Sequence, residues 1–312
     1  MVSGSVSVEL ALFLVGLVAL VVGAERAVSA AADIARFYGV SAFFVGVTVI
    51  SVGTSVPEMT TSVYAALYGA GDIVVGNIVG SETAQITLAV GVVALVSPIV
   101  AERRNVLVYG GAMTLAMIVM LLTLDDGRIQ RSEGFLMMLA YVNFIYTLYT
   151  NEGGAEITEE VVDEELERPG RELPWVVGGL ALVVVGGHLL VTNGTALARV
   201  AGISEYTIGL LTGLGTTAPE IVVASVAARR GHGGISVGSL LGSNITDPVF
   251  SLGIGALVAD VVVTDVASMT RTTTYMLGVS LVVVGLLYWR RGISRRLAVV
   301  CLLLYVPSVV LL

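Results

Sequence analysis

The chain has 312 residues, 56% of them apolar and only 13% charged, with a net charge of −8 and no lysine among its 16 basic residues. Several windows of about 20 residues carry few or no charges, the length a helix needs to cross a bilayer. This excludes an ordinary soluble domain, and the acidic balance argues against nucleic acid as a partner.

Hydropathy, punctuated by Gly, Pro and charge, predicts ten spans, beginning with about 6–30, 41–69 and 72–98. No Arg or Lys precedes the first span, so it reads as a retained helix and not a cleaved signal peptide. Spans at 105–124 and 132–150 complete the first half. An acidic linker over 151–173, from Asn151 to Glu172, lacks the ordered spacing and turn glycine of a calcium loop. It is expected to be a solvated cytoplasmic loop. The second half supplies spans at 174–200, 204–229, 233–259, 270–289 and 296–312. With the N-terminus outside, 12 arginines fall on the inner side and 4 on the outer (Arg128, Arg131, Arg199 and Arg271), which orients both termini outward.

Within the second and seventh spans stand two related hexapeptides, Gly53-Thr54-Ser55-Val56-Pro57-Glu58 and Gly215-Thr216-Thr217-Ala218-Pro219-Glu220. Aligning 53–85 on 215–247 without gaps gives 13 identities in 33 positions, so the halves read as a duplication. Five crossings per half force the second copy to enter the membrane from the opposite side. The predicted architecture is therefore an all-α integral membrane protein of ten transmembrane helices, in two inverted five-helix repeats (1–150 and 174–312) with discontinuous helices at an ion site. Inverted repeats with interrupted helices are a common plan of secondary transporters.

The chemistry follows from the interruptions. Pro57 and Pro219 cannot donate an N–H, so carbonyls near Gly53, Thr54, Gly215 and Thr216 leave the helical ladder and need a partner in the membrane. Gly53 and Gly215 are expected to let another backbone or an ion approach closely. Each half adds a carboxylate, Glu58 or Glu220, and hydroxyls from Thr54 and Ser55 or Thr216 and Thr217. One intramembrane acid can be a structural, protonated hydrogen-bond donor; two at matched positions point to a shared cation. All these donors are hard oxygens, which suit Ca²⁺ better than Mg²⁺, copper or zinc. Ser81 with Gln85, and Ser243 with Asp247, lie four apart and so share a helix face. Gly76, Gly80, Gly238 and Gly242 are read as packing glycines. Cys301 is expected to be a small buried hydrophobe, and the two histidines, His188 and His232, have no partner at metal-ligand spacing. Nucleophile motifs are absent, so no enzymatic activity and no prosthetic group are expected.

At these residues the sequence resembles the sodium/calcium exchanger family of the cation/calcium antiporter superfamily. Gly-Thr-Ser-x-Pro-Glu and Gly-Ser-Asn-x-x-Asp are its specific motifs, present as Gly53 to Glu58, Gly215 to Glu220 with Thr217 for Ser, and Gly242 to Asp247. The resemblance implies Ca²⁺ held by Glu58, Glu220 and the carbonyls of Thr54 and Thr216. It implies Na⁺ held by the Ser51 carbonyl, Ser55, Ser81, Thr217, Ser243 and the same glutamates, with Gln85 and Asp247 flanking the centre. Three positions depart from the family pattern. Gln85 replaces the usual Asn or Asp, which leaves stoichiometry and potassium dependence open. Glu82 stands where a small or amide residue is usual and reads as a cytoplasm- or cavity-facing acid. If Gly209 answers to Gly46, the second copy is one residue shorter ahead of Gly215, which displaces the carbonyl expected from Gly213.

The expected function is antiport of Na⁺ against Ca²⁺ in the cell membrane, and the resemblance implies that the first and sixth spans, capped by Arg26 and Arg199, act as a sliding gate. Its partners are the lipid bilayer and the two transported ions. A Ca²⁺/H⁺ antiporter of the same superfamily, and an uncoupled cation channel or Mg²⁺ transporter, remain as alternatives.

Overall fold

The computed structural model describes residues 2–152, 172–201 and 215–311. The bulk of the acidic linker, with Gly209 and Gly213, lies outside them. The first half runs α1 (Val2–Tyr38), α2 (Ala42–Val45), a π-helical turn (Gly46–Ile50), α3 (Ser51–Thr54), α4 (Val56–Leu67) and α5 (Gly71–Ala84). It continues with a second π turn (Gln85–Ala89), α6 (Val90–Val96), β1 (Ile99–Val100), α7 (Arg103–Thr123), β2 (Arg128–Ile129) and α8 (Arg131–Glu152). The second half runs α9 (Leu173–Val200), α10 (Ala218–Arg229), α11 (Gly233–Thr246), a π turn (Asp247–Ser251) and α12 (Leu252–Val258). It closes with β3 (Val261–Val262), α13 (Val266–Arg290), β4 (Gly292–Ile293) and α14 (Arg295–Leu311).

The duplication extends beyond the aligned motifs. The helices α10, α11 and α12, the Asp247 π turn and β3 each begin 162 residues after α4, α5, α6, the Gln85 π turn and β1. Even the turns match, because Gly69 and Gly231 hold left-handed φ values of 69° and 82° where a side chain would be strained. Short strands tie the halves together: β1 pairs antiparallel with β4, and β2 with β3. Each pair must sit on one face of the membrane. That requires one crossing between β1 and β2, one between β3 and β4, and an even number between β2 and β3, as ten spans supply.

Among the described residues five helices are long and apolar enough to cross a membrane, and the chain through α2 to α4, bent by 44°, makes a sixth. All-α architecture in ten helices, as two inverted five-helix repeats with broken helices, is the fold.

Two apolar clusters divide the interior. The larger is built from α4 to α8 and α10 to α14, around Ile78, Ile86, Met113, Met117 and Leu252. A smaller one lies mainly between α1 and α9, around Ala24, Ala27, Val28, Val176 and Val183. A glycine seam brings α1 and α9 into backbone contact: a Cβ on Gly16 would sit 2.8 Å from the Gly186 carbonyl oxygen, and one on Gly23 2.6 Å from that of Gly179. The outer faces expose Val18, Leu14, Val177 and Val185, as a lipid-facing pair requires.

Several expectations need correction. The first span does not end near residue 30 but runs to Tyr38, so Arg26 lies inside α1, over the Trp175 ring at 5.4 Å, and does not cap it. Its apolar pattern stops early, but good helix formers carry the helix on to Gly39 at φ 63°. Gly238 and Gly242 pack on the backbone of Phe43 and Val47, as expected. Gly76 and Gly80 meet nothing among the described residues.

Candidate ion-binding site

The site forms where the second and seventh spans break. Ser55, at φ −77° and ψ 2°, and Thr217, at φ −82° and ψ −6°, adopt one conformation at equivalent positions. Pro57 and Pro219 sit in the first turn of the helix that follows, where a missing N–H costs least. The break therefore opens a new helix N-terminus in each half. Glu58 and Glu220 stand in those first turns, at the positive ends of the helix dipoles. Among the described residues no second backbone approaches Gly53 or Gly215. Their nearest neighbours are the side chains of Leu180 and Val191, both on α9.

Four carboxylates are buried close enough to feel one another's charge. Glu58, Glu82 and Asp247 are fully buried and Glu220 is 1% exposed. Glu58 faces the charges of Glu220, Asp247 and Glu82, while Glu82 faces Asp247 and Glu220. None of the six glutamate oxygens is held by a hydrogen bond of ordinary length among the described residues, the Thr54 hydroxyl being turned toward Glu220. Asp247 differs: Ser251 Oγ donates to its Oδ1 at 2.8 Å and Gln85 Nε2 to its Oδ2 at 3.2 Å. Gln85 Oε1 in turn accepts from Asn244 Nδ2 at 3.0 Å. Buried carboxylates without donors are costly, and a bound cation is one way to satisfy them.

Hydroxyls line the same region. Thr54 Oγ1 and Ser243 Oγ lie 3.5 Å apart, and Ser55 Oγ is buried without a hydrogen-bond partner, turned toward Asp247. Ser81 is buried and donates to the Ile78 carbonyl at 3.1 Å. Thr217 is buried and Thr216 half-buried at the seventh-span break. Ser51 is also buried, but its carbonyl accepts from the Ser55 N–H at 2.9 Å and from Thr54 Oγ1 at 3.2 Å. A carbonyl with both lone pairs engaged is a poor ion ligand, so the expected use of the Ser51 oxygen does not fit this geometry. Among the described residues no three His, Cys, Asp or Glu side chains are grouped as a ready-made metal cluster. The oxygens come instead from a mixture of carboxylates, hydroxyls and an amide.

The structure adds residues that sequence reasoning passed over. Asn244 belongs to the Gly-Ser-Asn motif, and Ser251 lies one helical turn beyond Asp247, so both were within reach. Tyr141 on α8 carries no such signal; its hydroxyl meets Thr246 Oγ1 at 3.0 Å, and Thr246 lies 3.4 Å from Ser51 Oγ. Glu82 is fully buried and does not reach the surface. Both later π turns start on site residues, Gln85 and Asp247, as such bulges often do.

The profile of the family described as sodium/calcium exchanger protein matches residues 8–150 and 172–312. The chain belongs to the sodium/calcium exchanger family. As a family member it is 35% identical to the inner membrane protein YrbG of Escherichia coli (strain K12), over 90% of this chain and 89% of that one. It is 30% identical to the sodium/calcium exchanger MaX1 of Methanosarcina acetivorans, over 98% of this chain and 99% of MaX1. Among solved structures it superposes on the sodium-calcium exchanger NCX_Mj soaked with 2.5 mM Na⁺ and 0.1 mM Ca²⁺. The TM-score is 0.80 at 28% identity, covering 97% of this chain and 98% of NCX_Mj. This exchanger-family chain is thus a multi-pass membrane protein from a family of transporters.

Proposed function

We propose that the chain is a secondary antiporter that exchanges Na⁺ for Ca²⁺ by alternating access, with Glu58 and Glu220 as the central ligands. The observation that carries this reading is the set of buried glutamate oxygens without hydrogen bonds of ordinary length at the junction of two inverted repeats. The family and the likeness to NCX_Mj support the same pair of ions.

The physical cycle rests on charge. Several Na⁺ or one Ca²⁺ neutralise the glutamates, and a neutral site can pass through a closed, low-dielectric state, whereas an empty one resists because unpaired buried charge is costly. Ca²⁺ would draw on Glu58, Glu220 and the Thr54 and Thr216 carbonyls. Na⁺ would draw on Ser55, Ser81, Thr217 and Ser243 with the same glutamates, and Gln85 and Asp247 would flank the centre. The α1–α9 pair lies across both breaks through Leu180 and Val191, on the lipid-facing side of the site. The arginine tally favours a cytoplasmic 151–173 linker with both termini outside.

Radiolabelled Ca²⁺ uptake into proteoliposomes tests the reading. Vesicles loaded with Na⁺ should accumulate Ca²⁺, and vesicles loaded with K⁺ or choline should not. Uptake driven only by a pH gradient would turn the assignment to Ca²⁺/H⁺ antiport, and Ca²⁺ flux indifferent to any counter-ion would turn it to a channel.

A further inference from the structure

The duplication relates the two strand pairs as well as the ion site. Ile99 pairs with Ile293 as Val261 pairs with Ile129. The Ala101 N–H donates to the Arg291 carbonyl at 3.1 Å, as the Val263 N–H donates to that of Gly127 at 2.8 Å. Arg291 and Gly127 are therefore equivalent, and both hold left-handed φ values, 54° and 74°. Asp260, just before β3, is matched at the 162-residue offset by Pro98, just before β1.

That exchange leaves the two faces differently charged. At β2–β3, Asp260 accepts from the Arg128 guanidinium and, at 3.1 Å, from the Arg131 N–H. At β1–β4 the equivalent place holds a proline and no carboxylate. The segments flanking these strands, 97–104 and 290–296, carry six exposed arginines and one acid, Glu102. Arg103 stacks over Tyr288 at 5.3 Å, and among the described residues none of the six forms an ion pair. Arg291 stands at a helix-ending backbone position that favours glycine. An open cavity of about 540 Å³ lies here, lined by Pro98, Val100, Arg290, Arg291, Ser294 and Arg296. Its volume is that of a small-ligand pocket, and its charge calls for an anion.

The membrane decides which anion. Trp289, 77% exposed beside Arg290, belongs at the depth of the headgroups. The helix that leads into the strand pair, α6, and the one that leaves it, α14, expose Leu95, Val96, Val299 and Val300, as surfaces against acyl chains do. We propose that this cavity binds the phosphodiester of an anionic phospholipid between Arg290, Arg291 and Arg296, on the face that the arginine tally favours as cytoplasmic. The lipid phosphate takes the place that the Asp260 carboxylate fills on the opposite face.

Native mass spectrometry of the full chain in detergent, titrated with dioleoylphosphatidylglycerol or dioleoylphosphatidylcholine, tests this. One arginine near an anionic headgroup contributes about fivefold in affinity, so three should give the wild type about a hundredfold preference for phosphatidylglycerol. Arg296→Gln should lose about fivefold of that preference. Arg291→Gly should lose as much, and it should fold at least as well, because glycine suits the backbone there. Arg271→Gln removes the same charge on the opposite face and should change the preference less than about twofold, since screening ends within a few Debye lengths. Equal wild-type affinity for the two lipids overturns the proposal. A preference unchanged in Arg291→Gly or Arg296→Gln also overturns it, and so does an equal loss in Arg271→Gln, which would make the preference an effect of net charge. Inorganic phosphate at the concentration of the lipid should not displace it; displacement would make the cavity a site for a soluble anion and overturn the lipid assignment.

Discussion

In the first half the acid precedes the amide, Glu82 before Gln85; in the second the amide precedes the acid, Asn244 before Asp247. Everything around them is shared: the broken helix, the proline in its first turn, the turn glycine, and the π turn beginning on the second residue of each pair. Each half thus brings two buried acids, Glu58 with Glu82 and Glu220 with Asp247. Because the acid and amide positions are exchanged, the amides bond across the halves, Asn244 to Gln85 and Gln85 to Asp247, while Glu82 is left without a donor among the described residues. Duplication fixed a common backbone, and a swap of two side chains gave the two acids unequal surroundings.

The strongest test of that comparison addresses the residues that were not exchanged. Glu58→Gln and Glu220→Gln should each abolish Na⁺-driven Ca²⁺ uptake to a similar degree. Breaking a buried charged arrangement costs about 3–5 kcal/mol, so a loss of at least about a hundredfold is expected from either. Initial rates in proteoliposomes, corrected for inserted protein, measure it. A variant that retains uptake while its counterpart loses it would break the symmetry of the two central ligands.

How far the site could be read from sequence follows from the same symmetry. Residues fixed to a local break were legible, because Pro57 and Pro219 with their adjacent glutamates announce an interrupted helix wherever they occur in apolar sequence. Pairs on one helix face, such as Ser243 and Asp247, were legible from spacing alone. Contacts between spans were not: nothing in the sequence places Tyr141 of α8 beside Thr246, or Leu180 and Val191 of α9 against Gly53 and Gly215. The pairing of β1 with β4 and β2 with β3 was equally hidden, since two-residue strands have no periodicity to detect. The end of the first span was misjudged because Asp33 and Arg36 punctuate the hydropathy, while mostly apolar helix formers carry α1 through them to Tyr38.

A second test compares the leading helices of the halves, α1 and α9. Gly16→Ala and Gly186→Ala each place a methyl against the opposite backbone, 2.8 Å from the Gly186 carbonyl oxygen in one case and 2.5 Å from the Leu20 nitrogen in the other. Overpacking of this kind costs about 1–3 kcal/mol, so both variants should lower the midpoint of thermal unfolding in detergent. Gly178 lies on the same helix with open space around its Cα, so Gly178→Ala should raise stability by about 0.5–1 kcal/mol. A destabilised Gly178→Ala protein with neutral Gly16 and Gly186 variants would mean that the seam runs along another face of α9.

The smallest effect is expected where α8 touches the site. Tyr141 OH meets Thr246 Oγ1, Thr246 donates to the Gly242 carbonyl at 2.8 Å, and Ser51 lies beside it, so one phenol ties the fifth span to the second and eighth. Tyr141→Phe keeps the ring, which packs on Phe250 with centroids 4.9 Å apart, and removes only the hydroxyl. The net worth of one such hydrogen bond is about 0.5–1.5 kcal/mol, so unfolding should move by a few degrees at most. Thr246 retains its bond to Gly242, and no carboxylate loses a donor. Apparent Ca²⁺ affinity should therefore change less than about threefold, well below the effect of either glutamate substitution. A change as large as theirs would mean that the fifth span orders the site itself, and that the two repeats are less equal than their shared backbone implies.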